Sequence, residues 1–375
     1  MTTTITLIAT AAMGLESIVA KEVRQMGYPV EVENGRIRFN APISAIPRCN
    51  LWLRTADRLK LLVGEFEATT FDALFEATKA LPWEQFISED GKFPVSGKSI
   101  KSTLYSVPDC QAITKKAIAE RLKLKYGLAS KMPETGPLYK VEVALHKDKA
   151  MLTLDTSGAG LHKRGYRVGQ GDAPIKETMA AALVMLTNWK PEHTLIDPFC
   201  GSGTIPIEAA LIGQNIAPGF NREFASENWT FIKSLHWENA FEEVEDLANY
   251  DQALDITGSD IDHNMIKIAN QNANEAGLAD LLSWKQMQVK DLHLSKERGY
   301  IIGNPPYGER IGDRKAIAKI YQDLGSIMFN HPTWSVYILT AFEQFEKVYG
   351  EKATKKRKLF NGFIRTDYYQ YFGKR

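Results

Sequence analysis

Apolar positions along the chain change period several times, and each change marks an element. Ile5 to Ala11 is a short apolar run that predicts a strand, and Leu15, Ile18, Val19 and Val23 then recur at helical spacing over Gly14 to Met26 until Gly27 stops the helix. Val30 to Phe39 alternates around Asn34-Gly35, a dipeptide that favours a two-residue hairpin turn because both positions tolerate positive φ. A helix over Ile43 to Leu51 and a strand over Leu59 to Glu67 complete a small α+β unit, residues 1–68. Residues 69–157 then read as helix (Phe71 to Leu81), strand (Ser99 to Ser106), helix (Cys110 to Tyr126) and two strands (Tyr139 to His146 and Lys149 to Asp155) joined by a tight turn.

Gly158 to Asp172, with five glycines, reads as a linker. Beyond it helices (Lys176 to Trp189, Thr204 to Ile212, Met265 to Ala276) alternate with strands (Thr194 to Ile196, Ile256 to Gly258, Leu282 to Gln288, Tyr300 to Gly303, Ser335 to Leu339). That alternation predicts an α/β domain over 158–375, its parallel sheet covered on both faces. Residues 213–251 interrupt it. Phe220, Phe224, Trp229, Phe231, Trp237 and Phe241 make this an ordered insertion expected to pack on the same domain.

At 375 residues, 44% hydrophobic and 24% charged, the chain is too long for one core, and two or three domains are expected. No apolar run approaches the roughly 18 residues of a membrane span, and Met1 to Ala12 lacks the basic start of a signal peptide. Cys49, Cys110 and Cys200 are odd in number and far apart, fitting neither a disulfide framework nor paired metal ligands. The expectation is a cytoplasmic protein without metal or membrane partner. Net charge is only +1, yet Lys92 to Lys131 holds nine basic residues against Asp109 and Glu120, a local +7.

The strongest local signal is Leu195-Ile196-Asp197-Pro198-Phe199-Cys200-Gly201-Ser202-Gly203-Thr204, a strand that runs through a glycine loop into a helix. Such a loop lets backbone approach a ligand at the carboxyl edge of a parallel sheet. A dinucleotide fingerprint would have glycine where Pro206 stands, and a phosphate loop would have lysine after Gly203; neither is present. The next strand ends in Ser259-Asp260-Ile261-Asp262, where Asp260, with Asp262 in reserve, is placed to accept from both hydroxyls of a ribose. Asp260 lies 63 positions after Asp197, far beyond the usual spacing of about 20, because the insertion intervenes. Asp291, after a later strand, could accept from an adenine amine or simply cap a turn.

The second signal is Tyr300-Ile301-Ile302-Gly303-Asn304-Pro305-Pro306-Tyr307-Gly308. Two prolines fix their own φ and push Asn304 out of the helical region, so the loop leaves its strand stiffly. An exocyclic amine on a nucleobase is a poor nucleophile because its lone pair is delocalised into the ring. If the Asn304 side-chain oxygen and the Pro305 carbonyl accept its two N–H bonds, that lone pair is turned towards an electrophilic methyl. Tyr307 would then stack on the base. Cys200 could suggest a covalent mechanism, but it stands on the cofactor loop and not beside the base.

At these residues the sequence resembles the class I S-adenosylmethionine-dependent methyltransferases, and Asn304-Pro305-Pro306-Tyr307 resembles the subset that modifies exocyclic amines of nucleobases. The whole chain is similar to the bacterial THUMP-domain RNA methyltransferases, whose members have been labelled adenine-N6 DNA methylases and resemble large-subunit ribosomal RNA guanine-N2 methyltransferases. The resemblance implies a ferredoxin-like unit, a THUMP domain and a Rossmann-like catalytic domain. It implies S-adenosylmethionine as cofactor, held by Lys176, Thr178, Asp197, Cys200, Gly201, Ser202, Gly203, Thr204, Asp260, Ile261 and Asp291. It also implies RNA as partner, touched by Lys98, Lys101, Lys115, Lys116, Arg121 and Lys123 within the basic stretch. Guanine N2 is the expected acceptor and adenine N6 the alternative, since both are conjugated amines. An RNA-binding assembly factor with a decayed site is the competing class; intact Gly201, Gly203, Asp260 and Asn304 weigh against it.

Overall fold

The computed structural model describes residues 4–171, 174–307 and 313–374. The chain divides into two compact units, one of Met1–Ala11, Val19–Leu161 and Glu223–Glu243, the other of Ala12–Ile18, His162–Arg222 and Val244–Arg375.

In the first unit β1 (Thr4–Ala11), β2 (Val30–Glu33), β3 (Arg36–Pro42), β4 (Ala56–Glu67), β5 (Val95–Ile100), β6 (Val141–His146) and β7 (Lys149–Asp155) form one sheet in the order β2-β3-β1-β4-β7-β6-β5. The stretches read separately as 1–68 and 69–157 are thus joined by antiparallel pairing of β4 with β7, from Lys60 opposite Asp155 to Glu67 opposite Lys149. The Asn34-Gly35 turn forms as expected, with Glu33 opposite Arg36 and Gly35 at φ +72°. Helices α1 (Glu16–Gln25), α2 (Ala45–Trp52), α3 (Phe71–Ala80) and α4 (Val107–Tyr126) occur close to their expected places. The strand expected over Ser99 to Ser106 is displaced to β5, because Lys101 adopts φ +50° and turns the chain out of the sheet.

Two other expectations are corrected. The aromatic insertion contributes residues 223–243 to this first unit: Trp229 stacks on Tyr139 at 5.2 Å and donates its indole N–H to the Leu138 carbonyl at 2.9 Å. A buried tryptophan needs both an apolar surface and an acceptor, and Leu138-Tyr139 supplies them together. The glycine-rich stretch is also no free linker. Leu161 and Tyr166 are buried, and Arg164 pairs with the fully buried Glu208 at 3.3 Å.

The second unit carries β8 (Leu195–Asp197), β9 (Ile256–Asp260), β10 (Leu282–Gln286), β11 (Tyr300–Gly303), β12 (Ser335–Thr340), β13 (Lys355–Asn361) and β14 (Ile364–Tyr371), in the order β10-β9-β8-β11-β12-β14-β13. Its helices are α5 (Glu177–Met185), α6 (Thr204–Gly213), α7 (Ser234–Leu247, which begins in the first unit), α8 (His263–Glu275), α9 (Asp313–Phe329) and α10 (Phe345–Tyr349). Strands β8 to β12 are parallel; β14 runs antiparallel to β12 and pairs with β13 as a hairpin, so the sheet is mixed at one edge. Both faces are covered as the pattern predicts. Ile302, Tyr337 and Leu339 join the core beneath α5 and α6, whereas their strand neighbours Ile301, Val336 and Ile338 join the core beneath α9 and α10. From β8 the chain builds outward through β9 and β10, then returns to β11 on the other side of β8. The loops after β8 and β11 therefore leave the sheet side by side, at the switch point where open α/β sheets bind ligands.

Candidate active site

Gly201 and Gly203 take φ +49° and +84°, the left-handed region that a side chain resists. A Cβ on Gly203 would stand 2.7 Å from the Trp284 ring and 3.0 Å from the Ala269 Cβ, so α6 starts close against α8 and β10 only because the residue is glycine. Asp260 accepts from the Gly201 amide at 3.0 Å with one carboxylate oxygen and from the Asp262 amide at 2.9 Å with the other. Each oxygen keeps a lone pair, so Asp260 can brace the loop and still accept from a diol. Asp262, the reserve candidate, is spent as the N-cap of α8, accepting from the Asn264 amide at 2.8 Å. Ile261 beside it is 64% exposed, an apolar surface at the edge of the site.

The cleft at this edge is lined by Asp197, Phe199, Gly201, Ser202, Met265 and Asn304, among others. Asp197 is buried and accepts from the Phe199 amide at 3.0 Å; burial, reinforced by the Asp260 charge, raises its carboxyl well above the usual range. Burial, with Asp197 and Asp260 adding, likewise pushes the Cys200 thiol well up, which leaves no thiolate for covalent catalysis.

Asn304 stands at the mouth of β11, half-buried, with Pro305 buried behind it. The Tyr307 hydroxyl donates to the Asn304 side-chain oxygen at 2.5 Å and receives the Asn361 amide at 3.2 Å. The Tyr321 hydroxyl donates to the Pro306 carbonyl at 3.1 Å and lies 2.9 Å from the Thr340 hydroxyl, bracing the loop from the core. Gly308 lies outside the described residues. One cleft thus brings together the glycine loop of β8 and the Asn304 side chain of β11.

Comparison with known proteins gives this arrangement a family. A model described as "RMKL-like, methyltransferase domain" matches residues 164–370, one for an "RlmL ferredoxin-like domain" matches 6–60 and one for a "THUMP domain" matches 68–155. The chain belongs to the RMKL-like methyltransferase family. It is similar to "Putative RNA methyltransferase YpsC" of Bacillus subtilis, 64% identical over 98% of this chain and 96% of that one. It is 32% identical to "Ribosomal RNA large subunit methyltransferase K/L" of Syntrophotalea carbinolica over 96% of its own length, and spans about half (52%) of that relative. Among solved structures it resembles SMU.472, described as "a putative methyltransferase complexed with SAH", with 47% identity, full coverage of both chains and a TM-score of 0.96.

Within this methyltransferase unit, the segment expected to hold the cofactor as well divides. Pro174 and Ile175 line the cleft, while Lys176 is exposed at a neighbouring cavity and Thr178 is buried in α5. Asp291 is exposed at the end of a short turn after β10. Ser202 and Thr204 are buried and held by a residue that the sequence pattern did not single out. Arg167 donates to Glu177 at 2.6 Å, the Ile175 carbonyl at 2.9 Å, the Thr204 hydroxyl at 3.0 Å and, more weakly, Ser202 at 3.4 Å. Buried Asn272 adds a second clasp, accepting from the Val168 amide at 2.9 Å and donating to the Ser202 carbonyl at 2.9 Å.

In the first unit the six basic candidates are unequal. Arg121 forms a two-pronged pair with Glu84 (2.9 and 2.6 Å), Lys115 pairs with Glu134 (3.0 Å) and Lys98 with Glu142 (3.3 Å). Lys116 lies over the Phe75 ring at 5.6 Å. Lys101 and Lys123 have neither an ion-pair partner nor a ring contact among the described residues.

Among the described residues no cluster of three His, Cys, Asp or Glu could hold a metal, and no helix is long and apolar enough to cross a membrane.

Proposed function

We propose that this S-adenosylmethionine-dependent RNA methyltransferase of the K/L type methylates the exocyclic N2 amine of a guanine in large-subunit ribosomal RNA. The observation that carries the reading is that Asn304 lines one cleft with Cys200, Gly201 and Ser202 of the glycine loop, so an amine held by Asn304 faces that loop. Among the described residues that line it, none is lysine or arginine, which suits a cationic sulfonium better than a polyphosphate. Gly201, Ser202 and Gly203 would cradle the cofactor, Asp260 would accept from its ribose and Ile261 would flank its adenine. S-adenosylmethionine, when bound, supplies an electrophilic methyl group.

The chain's own part is to orient the acceptor. The amine N–H replaces the Tyr307 hydroxyl on the Asn304 oxygen, and the second N–H goes to the Pro305 carbonyl. Tyr307, released from that bond, stacks on the base outside its helix. The Tyr321 hydroxyl on Pro306 keeps both acceptors still while this happens. Kinship with the K/L relatives supports ribosomal RNA as substrate, and the family's likeness to guanine-N2 enzymes supports guanine. The THUMP domain, with Lys101 and Lys123 foremost, would grip the RNA backbone.

The test is to incubate the chain with radiolabelled S-adenosylmethionine and, separately, ribosomal RNA, transfer RNA and duplex DNA, and to identify the methylated nucleoside after digestion. N2-methylguanosine from ribosomal RNA is expected. N6-methyladenosine would replace guanine by adenine, and label in duplex DNA alone would overturn the RNA assignment.

A further inference from the structure

A second cavity, of about 420 Å³, opens next to the Asn304 loop and is lined by Tyr307, Phe342, Arg314, Lys315 and Glu343, among others. Its size falls in the range of about 300–1,000 Å³ typical of small-molecule sites. Tyr307 belongs to both places. Its hydroxyl sits on the Asn304 oxygen while its side chain forms part of the cavity wall, so the cavity begins one side chain away from the acceptor. Phe342 offers another aromatic surface and is fixed by an edge-on packing at 5.5 Å with Tyr321, the residue that braces Pro306.

The charges in this cavity are distinctive. Arg314 and Lys315 are consecutive and exposed in the first turn of α9, and neither has a hydrogen-bond or ion-pair partner among the described residues. One turn on, Lys319 is neutralised by Asp323 at 2.8 Å. Among the described residues Arg314 and Lys315 have no partner and Glu343 is the one carboxylate lining the cavity, a balance that favours an anion, and a guanidinium beside an ammonium suits a phosphodiester. Aromatic walls with a cationic rim are the chemistry of a nucleotide site, where the ring faces take base or sugar and the cations take phosphate.

Resting on the reading of Asn304 as the acceptor of a base amine, we propose that this cavity holds the ribose and phosphate adjoining the methylated base, with Arg314 and Lys315 pairing with that phosphate. A base seated on Asn304 must lead its backbone out past Tyr307, and these cations flank that exit. They act on RNA binding and not on the transfer itself.

The experiment compares the wild-type chain with an Arg314→Ala/Lys315→Ala variant and with Lys319→Ala as a control on the same helix. Three quantities are measured: affinity for S-adenosylhomocysteine by calorimetry, kcat and KM for methylation of 23S ribosomal RNA from cells lacking this protein, and binding of a short single-stranded RNA oligonucleotide by fluorescence anisotropy at several salt concentrations. The double variant should keep its affinity for S-adenosylhomocysteine and a kcat within about twofold. Its KM should rise about tenfold or more, and its log–log salt slope should flatten by about 0.7 for each phosphate that it no longer neutralises. Lys319→Ala should match wild type throughout. An unchanged KM, oligonucleotide affinity and salt slope in the double variant would overturn the proposal. If the wild-type chain binds the oligonucleotide but methylates no RNA, the methylation reading fails, and the binding comparison alone decides whether the cavity takes a phosphate.

Discussion

Arg167→Ala separates the architecture of the site from its chemistry. The guanidinium is 16% exposed and its partner Glu177 5%, so removing Arg167 strands a buried carboxylate. Breaking one side of such a pair costs about 3–5 kcal/mol, and the partial exposure of Arg167 points to the lower end. At roughly 2–4 °C per kcal/mol for a unit of this size, a loss of about 3 kcal/mol should lower the melting temperature by about 6–12 °C. The same change removes the bonds that tie the Ile175 carbonyl and the Thr204 hydroxyl together beside the cleft of the glycine loop. If re-ordering them costs about 1.4 kcal/mol, cofactor affinity drops about tenfold. Adding Glu177→Gln to Arg167→Ala removes the stranded charge, so most of the stability should return while affinity stays low. Thermal melts and calorimetric titration with S-adenosylhomocysteine read the two effects separately. A single variant that melts within a degree of wild type and binds equally well would show that Arg167 braces neither Glu177 nor the cleft, and a double variant that regains both properties together would show that the two effects are one.

Other expectations follow from the same geometry. Asn304→Ala should lower kcat by about a hundredfold or more, the usual scale for removing one positioned polar group from the reacting centre, with S-adenosylhomocysteine binding within about twofold of wild type. Tyr321→Phe removes the bonds to Pro306 and Thr340 and should cost about 1–2 kcal/mol of stability; kcat should fall more than cofactor affinity, which single-turnover kinetics with separate titrations would check. Asp197 has a folded-state pKa raised by burial, so the native chain holds a proton that the unfolded chain releases above about pH 4. Its contribution is full below that pH and is lost as pH rises towards the folded value. Asp197→Asn, which keeps the acceptor for the Phe199 amide, should therefore gain on wild type as pH rises above about 4 in thermal melts, and a pH-independent difference would contradict this.

Much of this is legible in the sequence because local rules and tertiary structure agree. The strand, glycine loop and helix from Leu195 to Gly213 form as expected, and Asn34-Gly35 turns where φ preferences require. Asp260 falls at the end of β9 as expected despite the long insertion, because the strand's apolar run, and not the spacing, marks the edge. The differences come from context. Glycine density makes 158–172 look like a linker, yet Arg164, Tyr166 and Arg167 within it are a signal, since two arginines and a tyrosine in so short a stretch need partners, and Glu208 and Glu177 provide them. The aromatics of 213–251 announce burial without saying against what; only the fold brings Trp229 to Tyr139. Lys352 to Lys358 reads equally as a solvated hairpin or as a place to touch RNA; β13 takes up Lys355–Asn361, and Lys356 pairs with Glu346 at 2.8 Å. Helix α9 is absent from the expected elements although Ile317, Tyr321, Leu324 and Met328 fall at helical spacing, and with it go Tyr321 and the cations at its start.

Whether the chain methylates guanine N2 in large-subunit ribosomal RNA is decided in cells. Large-subunit ribosomal RNA is isolated from a strain lacking this protein and from the same strain complemented with wild type or with Asn304→Ala, and its methylated nucleosides are mapped by mass spectrometry. One N2-methylguanosine is expected to disappear in the deletion, return with wild type and stay absent with Asn304→Ala. An unchanged methylation map in the deletion strain, or full restoration by Asn304→Ala, would contradict it.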